Sequence, residues 1–102
     1  ANITGGGLKD NLERIVPKKL CADIELNKIN ILKVFKWIKN SGIKENEMLK
    51  TFNCGVGFCL IIEQKNLIKV KKFFTRKYKP YVIGKIVSGK NKVKFNEKIN
   101  WF

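Results

Sequence analysis

Histidine is absent from this chain of 102 residues, and arginine occurs only as Arg14 and Arg76. Without histidine the chain cannot build a Ser-His-Asp or Cys-His nucleophile. The cysteines Cys21, Cys54 and Cys59 are odd in number, and the five-residue spacing of the last two is not that of zinc ligands. We therefore expect no metal site, and we expect buried free thiols in a reducing compartment.

Long apolar runs are also missing. No stretch approaches the ~20 apolar residues of a membrane span, and no signal-peptide pattern occurs. Hydrophobic residues make up 44% of the chain, which is ordinary for a globular protein and too many for a disordered one. We therefore expect one small domain with a single core, a cytoplasmic location and no membrane partner.

Acidic residues are scarce: eight stand against 22 cations, which gives a net charge of +14. Such a charge favours nucleic-acid binding, because cations along a phosphate backbone release counterions. However, nearly all the cations are lysine, and the lysines are scattered from Lys9 to Lys98. Arginine, the residue suited to bidentate phosphate contacts, is almost missing. We therefore expect no nucleic-acid partner, and we keep a basic nucleic-acid-binding module as an alternative; the positive field can still attract anionic phosphate metabolites.

The first seventeen residues hold the most informative pattern. Three glycines, Gly5–Gly7, precede Leu8, Leu12 and Ile15, which share one face of a short helix that Pro17 closes. A glycine-rich turn at the start of a helix presents free N–H groups that favour an anion. The same turn can instead serve only to pack the helix closely against a sheet. Both interpretations stay open on sequence alone.

Similar patterns predict the remaining elements. In the first half of the chain we expect a strand at 20–26, a helix capped by Asn30 and stopped at 40–42, and a short helix at 45–50. In the second half we expect a central strand at 56–62, buried on both faces, and a helix capped by Asn66. Two last strands, at 81–87 and from Val93, should form a hairpin. The second helix should bury Ile31, Val34, Phe35 and Ile38, with Phe35 and Trp37 facing the core, and the helix after Asn66 should bury Leu67, Val70 and Phe74. This order predicts an α+β domain whose mixed sheet is covered by helices.

Gly55 and Gly57 stand at the entry to the predicted central strand, where glycine weakens a strand. They are explained if another backbone or a ligand lies close against that end, and equally by a β-bulge. No P-loop and no dinucleotide fingerprint is present.

Three blocks of sequence carry a family resemblance. Residues 3–8 (Ile-Thr-Gly-Gly-Gly-Leu, with Asn11, Arg14 and Pro17 behind them), residues 47–57 and residues 81–87 appear in an order and at spacings that resemble the carboxy-terminal domain of aminoimidazole ribonucleotide synthetase. That family is also called phosphoribosylformylglycinamidine cyclo-ligase. One departure is Asn2, which stands where the family usually has histidine. Asparagine can hydrogen-bond but cannot titrate, which puts a general-acid role there in doubt.

The resemblance implies a three-layer α/β/α arrangement with a mixed sheet. It also implies that residues 1–102 are one carboxy-terminal domain of a longer two-domain enzyme, whose amino-terminal ATP-binding domain is absent here. The implied reaction uses ATP to convert formylglycinamidine ribonucleotide into aminoimidazole ribonucleotide in purine biosynthesis. ATP and Mg²⁺ would be bound mainly by the absent domain, which would also build a homodimer. We therefore expect the chain alone to be inactive.

The resemblance further implies a site without a confident catalytic residue. The implied contacts to substrate or nucleotide are Asn2, Thr4, Gly5, Gly6, Gly7, Arg14, Asn53, Gly55 and Gly57. For Arg14, a structural ion pair with Asp10 or Glu13 is as good an interpretation as a phosphate contact. The remaining alternatives are sister ATP-dependent enzymes of the types formylglycinamidine ribonucleotide synthetase, selenophosphate synthetase and thiamine-monophosphate kinase.

Overall fold

The sheet is organised around one central strand, β1 (Leu20–Glu25), in the computed structural model, which describes residues 1–102. On one side β1 pairs antiparallel with β2 (Gly84–Ser88), and on the other it pairs parallel with β3 (Val93–Asn96). The predicted strand at 20–26 is confirmed, and so is the prediction of an α+β domain with a mixed sheet.

The predicted hairpin between the last two strands is wrong, because β1 lies between them. The link from β2 to β3 crosses the start of β1 and bonds to it on the way. Gly89 donates its N–H to the carbonyl of Lys19 at 3.0 Å, and Ala22 donates to the carbonyl of Lys92 at 2.8 Å. In a tight hairpin β3 would pair with β2, and the edge of β1 that now faces β3 would lack these partners. The residues of the turn alone do not reveal this difference.

Four α-helices accompany the sheet. They are α1 (Gly7–Glu13), α2 (Lys33–Asn40), α3 (Glu45–Thr51) and α4 (Leu67–Lys71), with short 3₁₀ turns at Leu26–Lys28, Gln64–Asn66 and Arg76–Tyr78. No helix has the length and unbroken apolar character that a membrane span requires.

The first helix buries Leu8 and Leu12 as predicted, but the prediction for Ile15 is wrong. The helix ends at Glu13, so the helical spacing no longer applies two residues later. The N–H groups of Ile15 and Val16 both donate to the carbonyl of Leu12, and this final turn places Val16 in the core and leaves Ile15 exposed.

The second helix ends at Asn40, within the predicted stop at 40–42, but it begins at Lys33, and Asn30 does not cap it. Instead the N–H of Asn30 donates to the Tyr81 hydroxyl at 3.0 Å. No residue of α2 is fully buried. Phe35 is half-buried against Phe52, whereas Trp37 is exposed, so the predicted core-facing position of Trp37 is wrong.

The core lies between β1, α1 and α3. The predicted short helix α3 is confirmed and buries Met48 and Leu49. The core cluster comprises Ile3, Leu8, Leu12, Val16, Ala22, Ile24, Leu26, Ile29, Leu49, Val56, Val93 and Ile99. Ten of its members therefore come from the first 56 residues, and the other two are Val93 at the start of β3 and Ile99 after its end.

The predicted central strand at 56–62 is wrong. This stretch forms only one isolated bridge, between Asn2 and Phe58, and Phe58 and the residues 60–62 are exposed. An apolar strand is buried on both faces only within a sheet that other elements cover on both sides, and here the stretch joins no sheet.

The helix after Asn66, α4, is shorter than predicted: it has only five residues, none of them buried. Asn66 makes no side-chain capping bond, Leu67 and Val70 are half-buried, and Phe74 is exposed. The prediction of an inward face is therefore wrong for Phe74 and only partly right for the other two.

Candidate functional site

Main-chain pairing brings the first two motif blocks together. The N–H of Ile3 donates to the carbonyl of Gly57 at 2.9 Å, and the N–H of Cys59 donates to the carbonyl of Ala1 at 2.8 Å. Asn2 and Phe58 are therefore opposite each other in a short antiparallel bridge. Two stretches more than fifty residues apart in sequence meet at one place in the fold.

The bridge has a buried side and an exposed side. Ile3 is 2% exposed and lies in the core, while its neighbours Asn2 and Thr4 are exposed. Because side chains alternate along an extended chain, Asn2 and Thr4 lie on the side away from the core. We name the exposed surface at this bridge the open face and define it by Asn2, Thr4, Gly5, Gly57 and Phe58, all of which are exposed.

The three glycines of the turn are glycine for different reasons. At Gly7 the backbone has φ +68°, and a Cβ atom would lie 1.9 Å from the carbonyl oxygen of Leu49, so α1 approaches the end of α3 backbone to backbone. At Gly6 the φ is +93°, and a Cβ would lie 2.6 Å from an Asp10 carboxylate oxygen. At Gly5 nothing lies within 4 Å of a Cβ, and φ is not positive. Packing therefore explains Gly7, and no contact inside the chain explains Gly5.

The main-chain N–H groups of the three glycines also differ in whether they are hydrogen-bonded. Gly7 already donates its N–H to the carbonyl of Thr4 at 3.1 Å, whereas Gly5 and Gly6 donate to no main-chain group. The Asp10 carboxylate, in the first turn of α1, lies against Gly6 and supplies the negative charge that a helix start favours. An anion has the freest approach at Gly5.

Asn11 is the residue of this region that the sequence reasoning did not place in the site. It is 4% exposed and is the only buried polar residue. Its amide nitrogen donates to the carbonyls of Gly7 at 2.8 Å, Thr4 at 3.3 Å and Gly5 at 3.4 Å. Its amide oxygen accepts from the Thr4 hydroxyl at 3.4 Å. Asn11 thus stabilises the conformation of the glycine turn. The sequence feature that pointed to it is its position in the first motif block.

Asn53 and Gly55 have structural roles. The Asn53 side-chain oxygen accepts the N–H of Gly55 at 2.8 Å, which closes an Asx turn. Gly55 has φ +102°, and a Cβ there would lie 3.1 Å from the carbonyl oxygen of Asn30. The close backbone expected at this end is therefore residues 30–32, and no bulge is present because the stretch is not a strand. At Gly57, by contrast, nothing lies within 4 Å of a Cβ.

Arg14 makes no ion pair within 4 Å, so the interpretation of a pair with Asp10 or Glu13 is wrong. Its guanidinium donates to the Asn11 amide oxygen at 3.4 Å and otherwise faces solvent. Arg14, Asp10, Glu13 and Lys92 line an open depression of about 500 Å³. Arg14 is therefore available to an anion beside the glycine turn.

No group of three or more Cys, Asp or Glu side chains is placed to hold a metal ion. The two carboxylates of the depression are accompanied by the cations Arg14 and Lys92, which disfavour a second cation. The residues present thus do not fit a magnesium site.

The cysteines are free thiols, as predicted; Cys21 and Cys54 are buried and Cys59 is half-buried. Burial, with a smaller contribution from Glu45, raises the pKa of Cys54 to about 11. Burial also raises the pKa of Cys59. Both therefore stay protonated near neutral pH and are poor nucleophiles.

Comparison with known proteins agrees with the three motif blocks. Residues 1–96 match the family described as AIR synthase related protein, C-terminal domain. Over 99 residues the chain is 44% identical to phosphoribosylformylglycinamidine cyclo-ligase of Carboxydothermus hydrogenoformans, which covers 95% of this chain and 29% of that protein. It is 43% identical over 91 residues to the cyclo-ligase of Thermodesulfovibrio yellowstonii, covering 87% of this chain and 26% of that protein.

A third relative is longer. The trifunctional purine biosynthetic protein adenosine-3 of Chironomus tentans is 43% identical over 91 residues, which cover 88% of this chain and 7% of that protein. The chain therefore spans less than a third of the length of each of these relatives.

Proposed function

This chain belongs to the AIR synthase related protein family, whose C-terminal domain it matches, and from that membership we propose that it is the C-terminal domain of a phosphoribosylformylglycinamidine cyclo-ligase. In this proposal the whole protein is cytoplasmic and homodimeric. It converts formylglycinamidine ribonucleotide into aminoimidazole ribonucleotide, ADP and phosphate. Two relatives carry the cyclo-ligase name, which supports the reaction class.

The proposed reaction needs positioning more than it needs a nucleophile of the protein. ATP supplies the phosphoryl group that activates the formyl amide oxygen of the substrate. An amidine nitrogen of the same molecule then attacks the activated carbon, phosphate leaves, and the imidazole ring closes. Such a step is accelerated by holding the two ends of the substrate together and by neutralising phosphate charge. The absence of an activated thiol or histidine in this chain is compatible with that chemistry.

One observation carries the placement of the ligand: Gly5 and Gly57 are glycines with open space around them. Neither has a positive φ, and neither has an atom within 4 Å of a Cβ. Contacts inside the chain therefore do not require glycine at either position. Close approach of a ligand to the main chain does require it, because any side chain would keep the ligand away.

From this geometry the proposed roles follow. The free N–H groups of Gly5 and Gly6 bind a phosphate of the substrate or of the nucleotide, and Arg14 approaches it from the adjoining depression. The Thr4 hydroxyl, which donates to Asn11 at 3.4 Å, turns its proton to the same phosphate. Asn2 contributes an uncharged amide beside them, and Phe58 adds apolar surface across the bridge. Gly7, Asn11, Asn53 and Gly55 shape the site without touching the ligand. ATP and any Mg²⁺ are held mainly by a different domain of the longer protein, since this chain offers no ligand set for the metal.

A chimera tests the proposal. The matching region of the Carboxydothermus hydrogenoformans cyclo-ligase is replaced by this chain, and ATP-dependent ring closure is assayed. We expect the chimera to be active and Gly5→Val to lower kcat/KM by about a hundredfold or more while the melting temperature stays within about 2 °C. Thr75→Val, a substitution at an exposed position outside the open face, should leave both unchanged.

The outcomes separate the two parts of the proposal. A folded chimera that binds ATP without closing the ring would overturn the cyclo-ligase assignment and favour a sister enzyme of the superfamily. Full activity of Gly5→Val would leave the reaction in place and remove the open face as the ligand side. The chain of 102 residues alone should show no ring closure with ATP and substrate; measurable turnover would contradict its role as one half of a site.

A further inference from the structure

The strongest charge concentration of the molecule lies at residues 64–80, which we name the lysine-aromatic segment. It holds seven of the 22 cations of the chain and none of its eight carboxylates. Like charges at this density repel one another, and only a polyanion relieves the repulsion along the whole segment.

The cations of the segment are almost all unpaired within the chain. Only Lys65 has a carboxylate within 4 Å, that of Glu63 just before the segment. The other six have no such partner: Lys69, Lys71, Lys72, Arg76, Lys77 and Lys79. Their charge is therefore free to meet an external partner.

Large apolar side chains are interleaved with these cations and are equally without partners. Phe73 is 79% exposed and Tyr78 is 68% exposed, and the Lys77 ammonium lies 5.5 Å from the Tyr78 ring. No residue of the segment is fully buried. Its main-chain bonds join residues only three or four apart, as between Lys72 and Ile68 or between Tyr78 and Thr75. The segment thus presents rings and ammonium groups together to solvent.

The shape of the segment distinguishes two polyanions. An anionic membrane surface is bound by a long amphipathic helix with a continuous apolar face. Here α4 has five residues, and the exposed rings of Phe73, Phe74 and Tyr78 follow it in a turn, a bend and a 3₁₀ turn, so no continuous apolar face forms. Separately exposed rings among lysines are instead the arrangement that stacks unpaired bases and tracks a phosphate backbone.

We propose that the lysine-aromatic segment binds single-stranded nucleic acid without sequence preference, with Phe73 and Tyr78 stacking on bases and the lysines contacting phosphates. This departs from the expectation drawn from the whole sequence, which rested on lysines scattered along the chain. Locally they are not scattered. The proposal does not depend on the cyclo-ligase assignment, because it uses no residue of the open face.

Fluorescence anisotropy with a labelled 15-nucleotide oligothymidylate and the chain of 102 residues tests it. Between 50 and 200 mM salt we expect log Kd to rise linearly with log salt, with a slope of about +4 for six phosphate contacts. Lys69→Gln, Lys71→Gln and Lys72→Gln together should weaken binding at least tenfold and reduce the slope by about 2. Phe73→Ala with Tyr78→Ala should weaken binding by about tenfold or more and leave the slope unchanged.

A matched control removes the same number of lysine charges at positions outside the lysine-aromatic segment. Lys85→Gln, Lys94→Gln and Lys98→Gln together remove three exposed charges outside the segment and should change affinity by less than about threefold. Equal losses in the two triple variants would show only a diffuse positive field and overturn the proposal. No binding at 50 mM salt, no effect of removing the rings, or tighter binding to phosphatidylserine vesicles than to the oligonucleotide would each overturn it as well.

Discussion

Two regions of this chain have similar apolar content, but the first supplies most of the buried core and the second leaves its large apolar side chains mostly exposed. Ten of the twelve core residues lie between Ile3 and Val56, and none lies in residues 58–80. Yet the second region contains large apolar side chains such as Phe58, Ile61 and Phe73, all of them exposed. Hydropathy alone therefore does not decide burial in this molecule.

What differs is the supply of partners. In the first region, Gly7 allows α1 to approach the end of α3, and Asn11 satisfies three carbonyl groups of the turn. In the second region, cations recur among the apolar residues with no carboxylate to pair with most of them. Burying the apolar side chains there would also desolvate those charges, which costs more than the burial gains.

The largest effect should come from removing the close approach in the first region. Gly7→Ala places a Cβ 1.9 Å from a backbone oxygen at φ +68°, so α1 must move away from α3, and we expect a loss of about 3–5 kcal/mol in the free energy of unfolding. The measurement is urea unfolding followed by circular dichroism. Gly42→Ala is the matched control, because its φ is +106° but nothing lies within 4 Å of a Cβ.

The control variant should lose only about 1–2 kcal/mol, the cost of the left-handed backbone alone. If the two variants lost the same amount, backbone conformation and not close packing would explain Gly7.

The next effect concerns the hydrogen bonds of the same turn. Asn11→Leu keeps the volume of the side chain but leaves the carbonyls of Thr4, Gly5 and Gly7 without its amide, so we expect a loss of about 2–3 kcal/mol. Asn66→Ala removes an exposed asparagine that makes no capping bond and should cost less than about 0.5 kcal/mol. Thermal or urea unfolding of both variants checks the pair, and similar losses would contradict the contrast between the regions.

These contrasts show what the sequence could predict. The helix α1, the strand β1 and the helix α3 follow from local periodicity, and the structure has all three. The motif blocks identified the family and named residues that the fold brings together, such as Asn2 and Gly57. Local patterns and motif order are visible in a single sequence because they depend on neighbours along the chain.

Features that depend on distant partners were missed. The run at 56–62 is apolar enough for a central strand, but no second neighbour lies beside it. The turn after Ser88 resembles a hairpin turn, yet β1 occupies the position between the two strands. The role of Asn11 depends on carbonyls that a helix and a turn bring to its side chain. Spacing in the sequence does not encode these distances.

A smaller effect should appear at alkaline pH. Because burial raises the pKa of Cys54 from 9.0 to about 11, the folded protein keeps a proton that the unfolded chain has lost between these values. The free energy of unfolding should therefore fall between pH 9 and 11, by about 1–2 kcal/mol from this group. Cys54→Ala provides the reference, since the other titrating groups remain. An equally steep fall in the variant would assign the effect to lysines and tyrosines.

The smallest effect should come from the second region, and it is the most direct test of the comparison. Phe73 is 79% exposed and contributes nothing to the core, so Phe73→Ala should change the free energy of unfolding by less than about 0.5 kcal/mol. Leu8→Ala removes a side chain that is 1% exposed and should cost about 2–5 kcal/mol. Urea unfolding measures both. A loss at Phe73 comparable with that at Leu8 would mean that the ring is buried in solution and that the lysine-aromatic segment packs onto the first region; equality with wild type leaves its rings free for a partner.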